Sequence, residues 1–385
     1  MKVIHFITLD EKHITEMIHF FEDIEEMNNR FIYFQNNKND TSLIPTSNKY
    51  EVINISQIIE IISNPFSCDI IVIHSLLSLP CNIIKLIDKK IKVVWFSWGF
   101  DTYSNKFPQF PLIKLKNRIK PKTINLRYRI RLLHENFRTI VKELHKNSLK
   151  ERKHFIDAIK RIDYYSGVFP EEYDLLKKNS FFHAKQVYFN YAPSKGQYNL
   201  NNINTNIHPS GNNIQIGQSS NKLANHRNTF WNMRNLNLHN RKIIVPLSYN
   251  GDSLYISTVS KMGYKLFNNN FQPLTTFFPK QEYQTIIKTI SIAIFNLEQQ
   301  SAVGNIIYHF WNGSKVFVPE SSLNYKHFTN LGFHIFSIEK DLNQKEIDTL
   351  LSDELILENR KLIIQHYSYE AIMDKTKNSF FNIIK

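Results

Sequence analysis

Short runs of consecutive apolar residues alternate along the chain with stretches of helical periodicity. In the first half, residues 2–8, 69–74 and 92–97 form such runs, and residues 15–27 repeat apolar side chains at helical spacing. Uninterrupted apolar strands separated by helices are typical of a parallel sheet that helices cover on both faces. The pattern therefore predicts an α/β fold.

The second half of the chain repeats this alternation. We predict strands at residues 214–216, 243–245, 264–267 and 291–295, and a helix over residues 253–262. Each predicted strand is short and apolar, as expected for a central position in a covered sheet. The second half therefore predicts another unit of the same α/β class.

Residues 193–213 separate the two halves. They are rich in Asn, Ser, Gly and Gln and have little periodicity, which marks a linker or a mobile loop. At 385 residues the chain exceeds one typical core, so we expect a first domain over residues 1–192 and a second over 214–345. Residues 346–385 predict two or three further helices, which could pack back on the first domain.

From the sequence we expect neither a signal peptide nor a transmembrane helix. No run of about 18 apolar residues occurs, so we predict no transmembrane helix. The N-terminal residues predict a first strand that Asp10 and Glu11 soon follow, rather than a signal peptide. Cys68 and Cys81 lie in apolar segments like buried thiols, and without a disulfide framework we expect a reducing cytoplasm.

The net charge of +14 is concentrated in one segment. Between residues 114 and 153, 14 Lys and Arg residues stand against three acids, a local charge of +11. Apolar and cationic residues are interleaved there, and Pro121 divides the helical run. This mixture is typical of an amphipathic helix on an anionic membrane. A long surface helix whose apolar stripe joins the core is the alternative.

Polar and aromatic side chains crowd the end of the predicted strand at residues 92–97. Residues 98–103 read Trp-Gly-Phe-Asp-Thr-Tyr, and Gly99 permits an unusual turn there. An α/β sheet carries its chemistry at the carboxyl ends of its strands. Asp101 is therefore a candidate functional carboxylate, and a helix N-cap or turn carboxylate is the alternative.

The predicted strand at residues 214–216 runs into a small, polar turn. Gly217, Ser219 and Ser220 would let backbone N–H groups approach a ligand closely, and a helix begins near Asn225. The partial positive charge of a helix N-terminus suits phosphate. The segment predicts a phosphate site. Because the turn is neither a GxGxxG nor a Walker sequence, an ordinary tight connection with nothing bound is the alternative.

Four short motifs occur in the same order as in a known family. They are residues 98–103; residues 216–220 (Ile-Gly-Gln-Ser-Ser) with Asn225 and His226; residues 245–249 (Val-Pro-Leu-Ser-Tyr); and Gln299-Gln300 through Gly304. In these places the chain resembles the TDP-N-acetylfucosamine:lipid II N-acetylfucosaminyltransferase family, the 4-α-L-fucosyltransferases of the enterobacterial common antigen type. The resemblance implies a GT-B glycosyltransferase with two Rossmann-like domains facing a cleft. Gln218 in place of Asn and Ser301 in place of Gly depart from the family pattern and leave the donor sugar open.

The resemblance implies that the second domain binds a nucleotide-sugar donor, a TDP-sugar. The turn and the next helix would hold the diphosphate. Tyr249 would stack on or hydrogen-bond the nucleobase, and a tyrosine at the edge of the core is the alternative. Polar residues after the 291–295 strand would bind ribose or sugar hydroxyls. The candidate donor-binding residues are Gly217, Ser219, Ser220, Asn225, His226, Tyr249, Glu298, Gln299, Gln300, Gly304 and Asn305. Helix dipoles and cationic side chains can stabilise a leaving diphosphate, and the sequence has no DxD triplet or His/Cys cluster. We therefore expect no metal and no other cofactor.

The resemblance also implies that the first domain binds a lipid-linked saccharide, carried on a polyprenyl diphosphate, as the acceptor. The lipid diphosphate and the membrane surface are both anionic, which matches the basic segment 114–153. Asp101 is the candidate general base for the acceptor hydroxyl, His74 is the second candidate, and His5 is expected to be structural. We predict a peripheral protein on the cytoplasmic face of the inner (plasma) membrane, in surface polysaccharide or antigen biosynthesis.

Two alternatives remain open. A GT-B protein could use another nucleotide sugar or a soluble acceptor, or catalyse a reaction such as epimerisation, but a soluble acceptor leaves the basic segment unexplained. A non-enzymatic protein could bind nucleic acid through that segment, although the sequence contains no known nucleic-acid-binding module. We therefore predict a glycosyltransferase that does not bind nucleic acid.

Overall fold

The chain folds into two units, each built around a parallel sheet. The first unit contains Met1–Lys114, Arg138–Gln197 and Tyr367–Lys385, and the second contains Leu115–Phe137 and Tyr198–His366. The computed structural model describes residues 1–7, 14–34, 49–103, 112–124, 126, 129–131, 133–134, 146–190 and 192–385. Within these ranges, no helix is both long enough and apolar enough to cross a membrane.

Among the described residues, the first unit forms a seven-stranded sheet in which all neighbouring strands are parallel. The strands are β1 Lys2–Ile7, β2 Asn28–Phe34, β3 Glu51–Ile53, β4 Ile70–His74, β5 Lys92–Phe96, β6 Tyr164–Ser166 and β7 Lys185–Gln186. Their order is β3-β2-β1-β4-β5-β6-β7. The winding direction therefore reverses between β1 and β4.

Helices of the first unit follow the periodic segments of the sequence. The helix Ile14–Glu22 buries Met17, Ile18 and Phe21, which helical spacing brings to one face. The helix after β3 begins at a capping box, in which the side chains of Asn54 and Gln57 each accept a hydrogen bond from the other's backbone N–H. This helix is Ile55–Ser63, and the others after Ile14–Glu22 are Cys81–Ile84, Phe100–Tyr103, Lys146–Arg161, Glu171–Leu176 and Tyr369–Ile384.

The C-terminal helix Tyr369–Ile384 packs in the first unit. Its Ile372 and Phe380 side chains join the buried cluster that contains Phe21. The ring centres of Phe21 and Phe380 lie 5.9 Å apart. The chain therefore returns to the first unit at Tyr367, later than the predicted boundary at residue 346, because the apolar face of this last helix is the one that completes the first core.

Among its described residues, the second unit forms a six-stranded sheet, again with all neighbouring strands parallel. The strands are β8 Asn213–Ile216, β9 Ile243–Pro246, β10 Phe271–Leu274, β11 Ile290–Ile294, β12 Lys315–Val318 and β13 Phe336–Ser337. Their order is β10-β9-β8-β11-β12-β13, so the winding reverses between β8 and β11. Ligands of such sheets bind beyond the strand ends at this point. The two parallel sheets confirm the predicted α/β class.

One predicted strand of the second unit is wrong. Residues 264–267 complete the helix Ser253–Phe267, and the strand follows only at Phe271–Leu274. Gly263 lies inside this helix. It lets the helix approach the sheet closely, since a Cβ at this position would lie 2.2 Å from the Phe271 ring. The other helices are His226–Met233, Lys280–Lys288, Val303–Trp311, Leu323–Asn330, Gln344–Asp348 and Asp353–Tyr367, with 3₁₀ turns at Lys222–Ala224 and Asn268–Asn270.

Much of the polar stretch predicted as a linker packs on the second unit. Tyr198 is 5% exposed, and its ring centre lies 5.0 Å from that of Trp311. The buried Arg360 guanidinium donates to the Trp311 carbonyl and, over 2.6 to 2.9 Å, to the carbonyls of Ile203, Thr205 and Asn206. These bonds satisfy backbone groups that lie outside helices and strands, which is why a sequence without periodicity is held in place here.

The basic segment 114–153 is divided between the two units. Leu115–Phe137 belongs to the second unit, which differs from the expected place of the whole segment in the first domain. Residues 115–124 form turns and bends rather than a helix. Pro121 lies in the middle of this stretch and cannot extend a helix. Residues 125, 127, 128, 132 and 135–145 of the segment lie outside the described residues.

Candidate functional site

The turn after β8 lies where the second sheet reverses its winding. Gly217 has a φ of 71°, and its N–H donates to the carbonyl of Ile294, the last residue of β11, across 2.9 Å. A Cβ on Gly217 would lie 2.4 Å from Nε2 of the buried His226. The turn therefore requires glycine on two grounds, the left-handed backbone and the close approach of an imidazole ring.

The imidazole of His226 supports this turn as a neutral group. Its Nδ1 lies 3.2 Å from the Tyr255 hydroxyl, and its Nε2, which faces Gly217, has no hydrogen-bond partner among the described residues. Burial lowers the pKa of His226 to about 3, so the ring carries no charge at pH 7. His226 therefore shapes the turn by packing and adds no positive charge to it.

Serine groups tie the same turn to the loop after β9. The Ser220 N–H and hydroxyl both donate to the Tyr249 carbonyl, across 2.8 and 2.6 Å. Ser219 and Ser220 are 5% and 1% exposed, whereas Tyr249 is 49% exposed. The structure thus brings these three predicted residues together, with Tyr249 at the surface rather than at the edge of the core.

Two helices begin at this edge of the sheet, each after a left-handed residue. Asn225 precedes the helix that follows β8 with a φ of 51°, and Ala302 precedes the helix that follows β11 with a φ of 60°. Neither side chain caps its helix. First-turn N–H groups and the helix dipole together favour an anion. The predicted residues Gly304 and Asn305 lie in the first turn of the second of these helices, and a Cβ on Gly304 would meet no atom within 4 Å.

The loop after β11 meets cations of the basic segment. The carboxylate of Glu298 is bound by Lys120 Nζ and by the Ser321 hydroxyl, the latter across 2.8 Å. The guanidinium of Arg118 donates to the side-chain carbonyl of Gln299. Glu298 is 5% exposed, so water does little to weaken its ion pair with Lys120. Two of the residues predicted to bind ribose or sugar hydroxyls therefore contact cationic side chains of the same unit.

Arg118 and Lys120 are functional candidates that the sequence pattern assigned to a membrane surface. Their position follows from contacts with residues about 180 positions later in the chain, which no local pattern contains. Pro121 was the available signal, because it separates these two cations from the helical run behind them.

The two departures from the family pattern contact each other. Nε2 of Gln218 lies 3.4 Å from the hydroxyl oxygen of Ser301, which links the turn after β8 to the loop after β11. The Ser301 carbonyl accepts a hydrogen bond from Asn324 across 3.1 Å. Gln300, the third predicted residue of this loop, is 8% exposed. The two loops therefore form one connected polar site.

In the first unit, a buried carboxylate follows β5. Asp101 is 1% exposed and accepts three hydrogen bonds over 2.9 to 3.1 Å, from the Trp95 indole, the Ser97 hydroxyl and the Leu76 N–H. Burial raises the pKa of Asp101, and these hydrogen bonds oppose the rise. The geometry is that of a structural turn carboxylate, the alternative that the sequence left open, and the role of general base stays a prediction.

His74, at the end of β4, belongs to a buried chain of polar groups. Its Nε2 lies 2.9 Å from Nδ1 of His5, whose Nε2 lies 3.0 Å from Oδ1 of Asn29. Because an amide oxygen only accepts, these bonds place the His5 proton on Nε2 and let His74 donate to Nδ1. Burial lowers the pKa of His5 to about 4 and holds that of His74 well below its usual value. Both rings are therefore neutral at pH 7, and a catalytic role of His74 stays a prediction.

A second buried carboxylate, Glu172, was not indicated by the sequence pattern. It accepts from the Tyr103 hydroxyl across 2.6 Å and from the Phe169 N–H across 3.0 Å. Burial raises the pKa of Glu172 to about 7. As for metals, the described part of the chain contains no group of three or more His, Cys, Asp or Glu side chains that could hold an ion.

Solved structures share this fold, and two of the following three are named as glycosyltransferases. Anabaena Alr3699/HepE, in complex with UDP and glucose, matches with a TM-score of 0.63 and 9% identity over 99% of this chain and 100% of its own. The lipopolysaccharide outer core galactosyltransferase WaaB gives 0.60 and 12% over 99% of both chains. A glycosyltransferase from Rickettsia africae gives 0.62 and 12% over 100% of this chain and 98% of its own. No curated protein matches the chain by sequence.

The two parallel-sheet units and these likenesses define a GT-B fold, and the protein is a glycosyltransferase. The family model of the 4-alpha-L-fucosyltransferases, glycosyl transferase group 56, matches residues 144–384. The chain belongs to this family. The predicted fold class and enzyme class are confirmed, and so is the family resemblance at this level.

Proposed function

We propose that the protein transfers a deoxy-amino sugar, similar to N-acetylfucosamine, from a TDP-sugar to a saccharide linked to a polyprenyl diphosphate. Membership of the 4-alpha-L-fucosyltransferase family supports the reaction type. The observation that carries the proposal is the set of anion-binding groups at the carboxyl edge of β8 and β11. It combines the Gly217 turn and two uncapped helix N-termini with Arg118, which donates to the Gln299 amide oxygen, and Lys120, which is paired with Glu298. The UDP complex of HepE supports a nucleotide-linked donor.

The chemistry that we propose for this edge is electrostatic. The bond between the anomeric carbon and the diphosphate oxygen breaks, a bond to the acceptor hydroxyl oxygen forms, and the hydroxyl proton passes to a base or to the departing diphosphate. Negative charge then grows on the leaving diphosphate, where backbone N–H groups and the Arg118 and Lys120 cations stabilise it. We propose that this requires no metal. Tyr249, exposed beside the turn, would stack on the base, and Gln300 and Asn305 would bind sugar hydroxyls.

Nucleotide binding tests the donor site. Thermal shift and titration calorimetry against TDP, UDP, GDP and CMP should show selective stabilisation by TDP, since a ligand that binds only the folded state raises the Tm. Lys120→Met should weaken TDP binding by about tenfold or more, the effect of losing a hydrogen bond to a charged group. Lys116→Met is the matched control, because Lys116 is an exposed lysine of the same segment and should leave binding unchanged.

The outcomes separate the parts of the proposal. Preference for UDP, GDP or CMP would retain a donor site and discard the TDP assignment. Equal effects of Lys120→Met and Lys116→Met would discard the role of Lys120. No binding of any nucleotide, together with tight binding of nucleic acid, would overturn the proposed function.

A lipid-linked acceptor is supported by the exposed face of the basic segment. Leu126, Ile130 and Leu133 are helical, lie at i, i+4 and i+7, and are 73%, 49% and 67% exposed. Arg129 and Arg131 are exposed among them. Exposed aliphatic side chains at helical spacing with interleaved cations suit an anionic membrane surface. We propose peripheral binding to the cytoplasmic face of the inner membrane.

Trp231 adds an aromatic residue of the second unit to the support for membrane binding. It is 40% exposed, and Lys122 and Arg234 lie 4.6 and 4.3 Å from its ring centre. Trp side chains flanked by cations are frequent at membrane–water interfaces. The side chain therefore suits the same anionic surface.

Vesicle sedimentation tests the membrane partner. Binding to vesicles with anionic lipid, and weak binding to purely zwitterionic vesicles, is expected. Substitution of Leu126, Ile130 and Leu133 together by Gln should lower the bound fraction. The control is the same substitution by Gln of the exposed Val52, Ile55 and Ile59, which should lower the bound fraction less. Equal losses, or equal binding to both kinds of vesicle, would contradict the proposed surface.

A further inference from the structure

The side chain of Asn225 joins separate segments of the second unit. Its Nδ2 donates to the carbonyl of Asn296 across 2.8 Å and to that of Arg118 across 3.0 Å. Its Oδ1 accepts from the Lys120 N–H across 2.8 Å and from the Thr123 hydroxyl across 2.5 Å. Asn225 and Thr123 are fully buried. We call these bonds between Asn225, residues 118–123 and Asn296 the Asn225 clasp.

The hydrogen-bonding capacity of this carboxamide is fully used. Nδ2 also lies 3.0 Å from the Leu223 carbonyl, so its two hydrogens serve three oxygens, while the two lone pairs of Oδ1 serve two donors. The carboxamide does not cap the helix that begins at His226. It also has no donor left for the diphosphate contact that the sequence predicts for it.

The clasp sets where two cations lie. Asn296 is two residues before Glu298, which binds Lys120, and three residues before Gln299, which binds Arg118. Because the backbone of residues 118 and 120 is fixed to Asn225, both side chains reach this loop from one anchored segment. We infer that Asn225 is a positioning residue that holds Arg118 and Lys120 at the donor diphosphate without contacting the donor. This inference rests on the proposed function.

Asparagine suits this position for both backbone and side-chain reasons. The φ of 51° and ψ of 33° are left-handed, a region that Asn and Gly tolerate best. Asn225→Gly therefore keeps the backbone and deletes the clasp. Asn225→Asp keeps the shape but turns a carboxylate toward three carbonyl oxygens. Thr123→Val is a milder change, since it removes one bond and leaves the rest.

The test compares a nucleoside diphosphate with its nucleoside. Titration of TDP and of thymidine into the full-length protein separates phosphate contacts from base contacts. Asn225→Gly should weaken TDP binding by about tenfold or more, as loss of charge-assisted phosphate contacts does, and leave thymidine binding unchanged. Thr123→Val should weaken TDP binding in the same direction by a smaller factor. Asn206→Gly is the matched control, an exposed left-handed Asn with a φ of 43° whose substitution should change neither.

A double-mutant cycle gives the second readout. In a background that carries Arg118→Met and Lys120→Met, Asn225→Gly should add almost no further loss of TDP affinity, because the groups it positions are gone. An additive loss, or equal losses for TDP and thymidine, would overturn the inference, since the clasp would then support the unit in general. If Asn225→Gly and Asn225→Asp do not fold, Thr123→Val decides by the same comparison.

The failure of this inference is distinguishable from that of the proposed function. Absence of binding of TDP, UDP, GDP and CMP by the unmodified protein would overturn the proposed function and the inference together. TDP binding that depends on Lys120 but is unchanged by Asn225→Gly and Thr123→Val would overturn the inference alone.

Discussion

Replacement of Gly217 by alanine should disable the turn after β8. A φ of 71° costs an L-residue about 1–2 kcal/mol. The new Cβ would lie 2.4 Å from Nε2 of His226, a buried ring whose other nitrogen lies 3.2 Å from the Tyr255 hydroxyl. The ring cannot swing into solvent, so overpacking adds about 1–3 kcal/mol. The two effects together should lower the free energy of unfolding by about 2–5 kcal/mol.

Calorimetric unfolding measures this loss. For a unit of about 150–250 residues, a loss of about 3 kcal/mol lowers the Tm by roughly 6–12 °C. TDP affinity should fall as well, because the turn carries N–H groups of the proposed donor site. Gly304→Ala is the matched control for stability: its Cβ would meet nothing within 4 Å, and alanine favours a helix by up to about 1 kcal/mol, so the Tm should stay constant or rise.

Two results would refute this reasoning. An unchanged Tm of Gly217→Ala would show that the turn relaxes around a methyl group without cost. Equal losses of Tm in Gly217→Ala and Gly304→Ala would show that the left-handed backbone and the contact with His226 are not the cause. Normal stability with lost TDP binding in Gly304→Ala would instead support close approach of the donor to that helix.

Three further substitutions test buried polar groups. Burial raises the folded-state pKa of Glu172 from 4.5 to about 7. The stability that protonated Glu172 contributes to the fold is therefore fully present below pH 4.5 and is lost as the pH rises through 7. Glu172→Gln should therefore gain stability relative to the unmodified protein in denaturant titrations as the pH rises over this window, and a constant difference would contradict the assignment. In Arg360→Lys, one ammonium group cannot donate to all four carbonyl groups that the guanidinium binds. The substitution should lower the free energy of unfolding by about 2–4 kcal/mol and speed proteolysis at residues 203–206. Wild-type stability and cleavage would refute this. Asp101→Asn can keep three hydrogen bonds, so the Tm should stay unchanged. If Asp101 is the general base, kcat should fall by about 100-fold, and an unchanged kcat would assign Asp101 a structural role.

Features that depend on neighbouring residues were predictable from the sequence. Apolar runs predicted the central strands β4, β5, β8, β9 and β11, because a strand buried on both faces must be apolar throughout. The turn at Gly217 was indicated by its small residues beside a strand end. The four ordered motifs indicated the family to which the chain belongs. Each of these signals lies within a few consecutive residues.

Features that depend on distant contacts were decided only by the tertiary structure. Residues 264–267 are predicted as a strand after the helix 253–262, but they continue one helix, Ser253–Phe267, in which the approach of Phe271 makes glycine the residue that fits at position 263. The polar stretch after Tyr198 looked like a linker, but the carbonyl groups of residues 203, 205 and 206 are bound by Arg360, about 155 positions later.

The basic segment shows the same limit at the site itself. Composition determined that residues 114–153 carry a local charge of +11. It could not determine that Leu115–Phe137 belongs to the second unit, or that Arg118 reaches Gln299, 181 positions away. Asn225 stands before a helix like an ordinary cap, yet its carboxamide binds residues 118–123 and Asn296. The sequence determined which chemical groups are available, whereas burial of whole faces and the satisfaction of buried polar groups decided which of them meet.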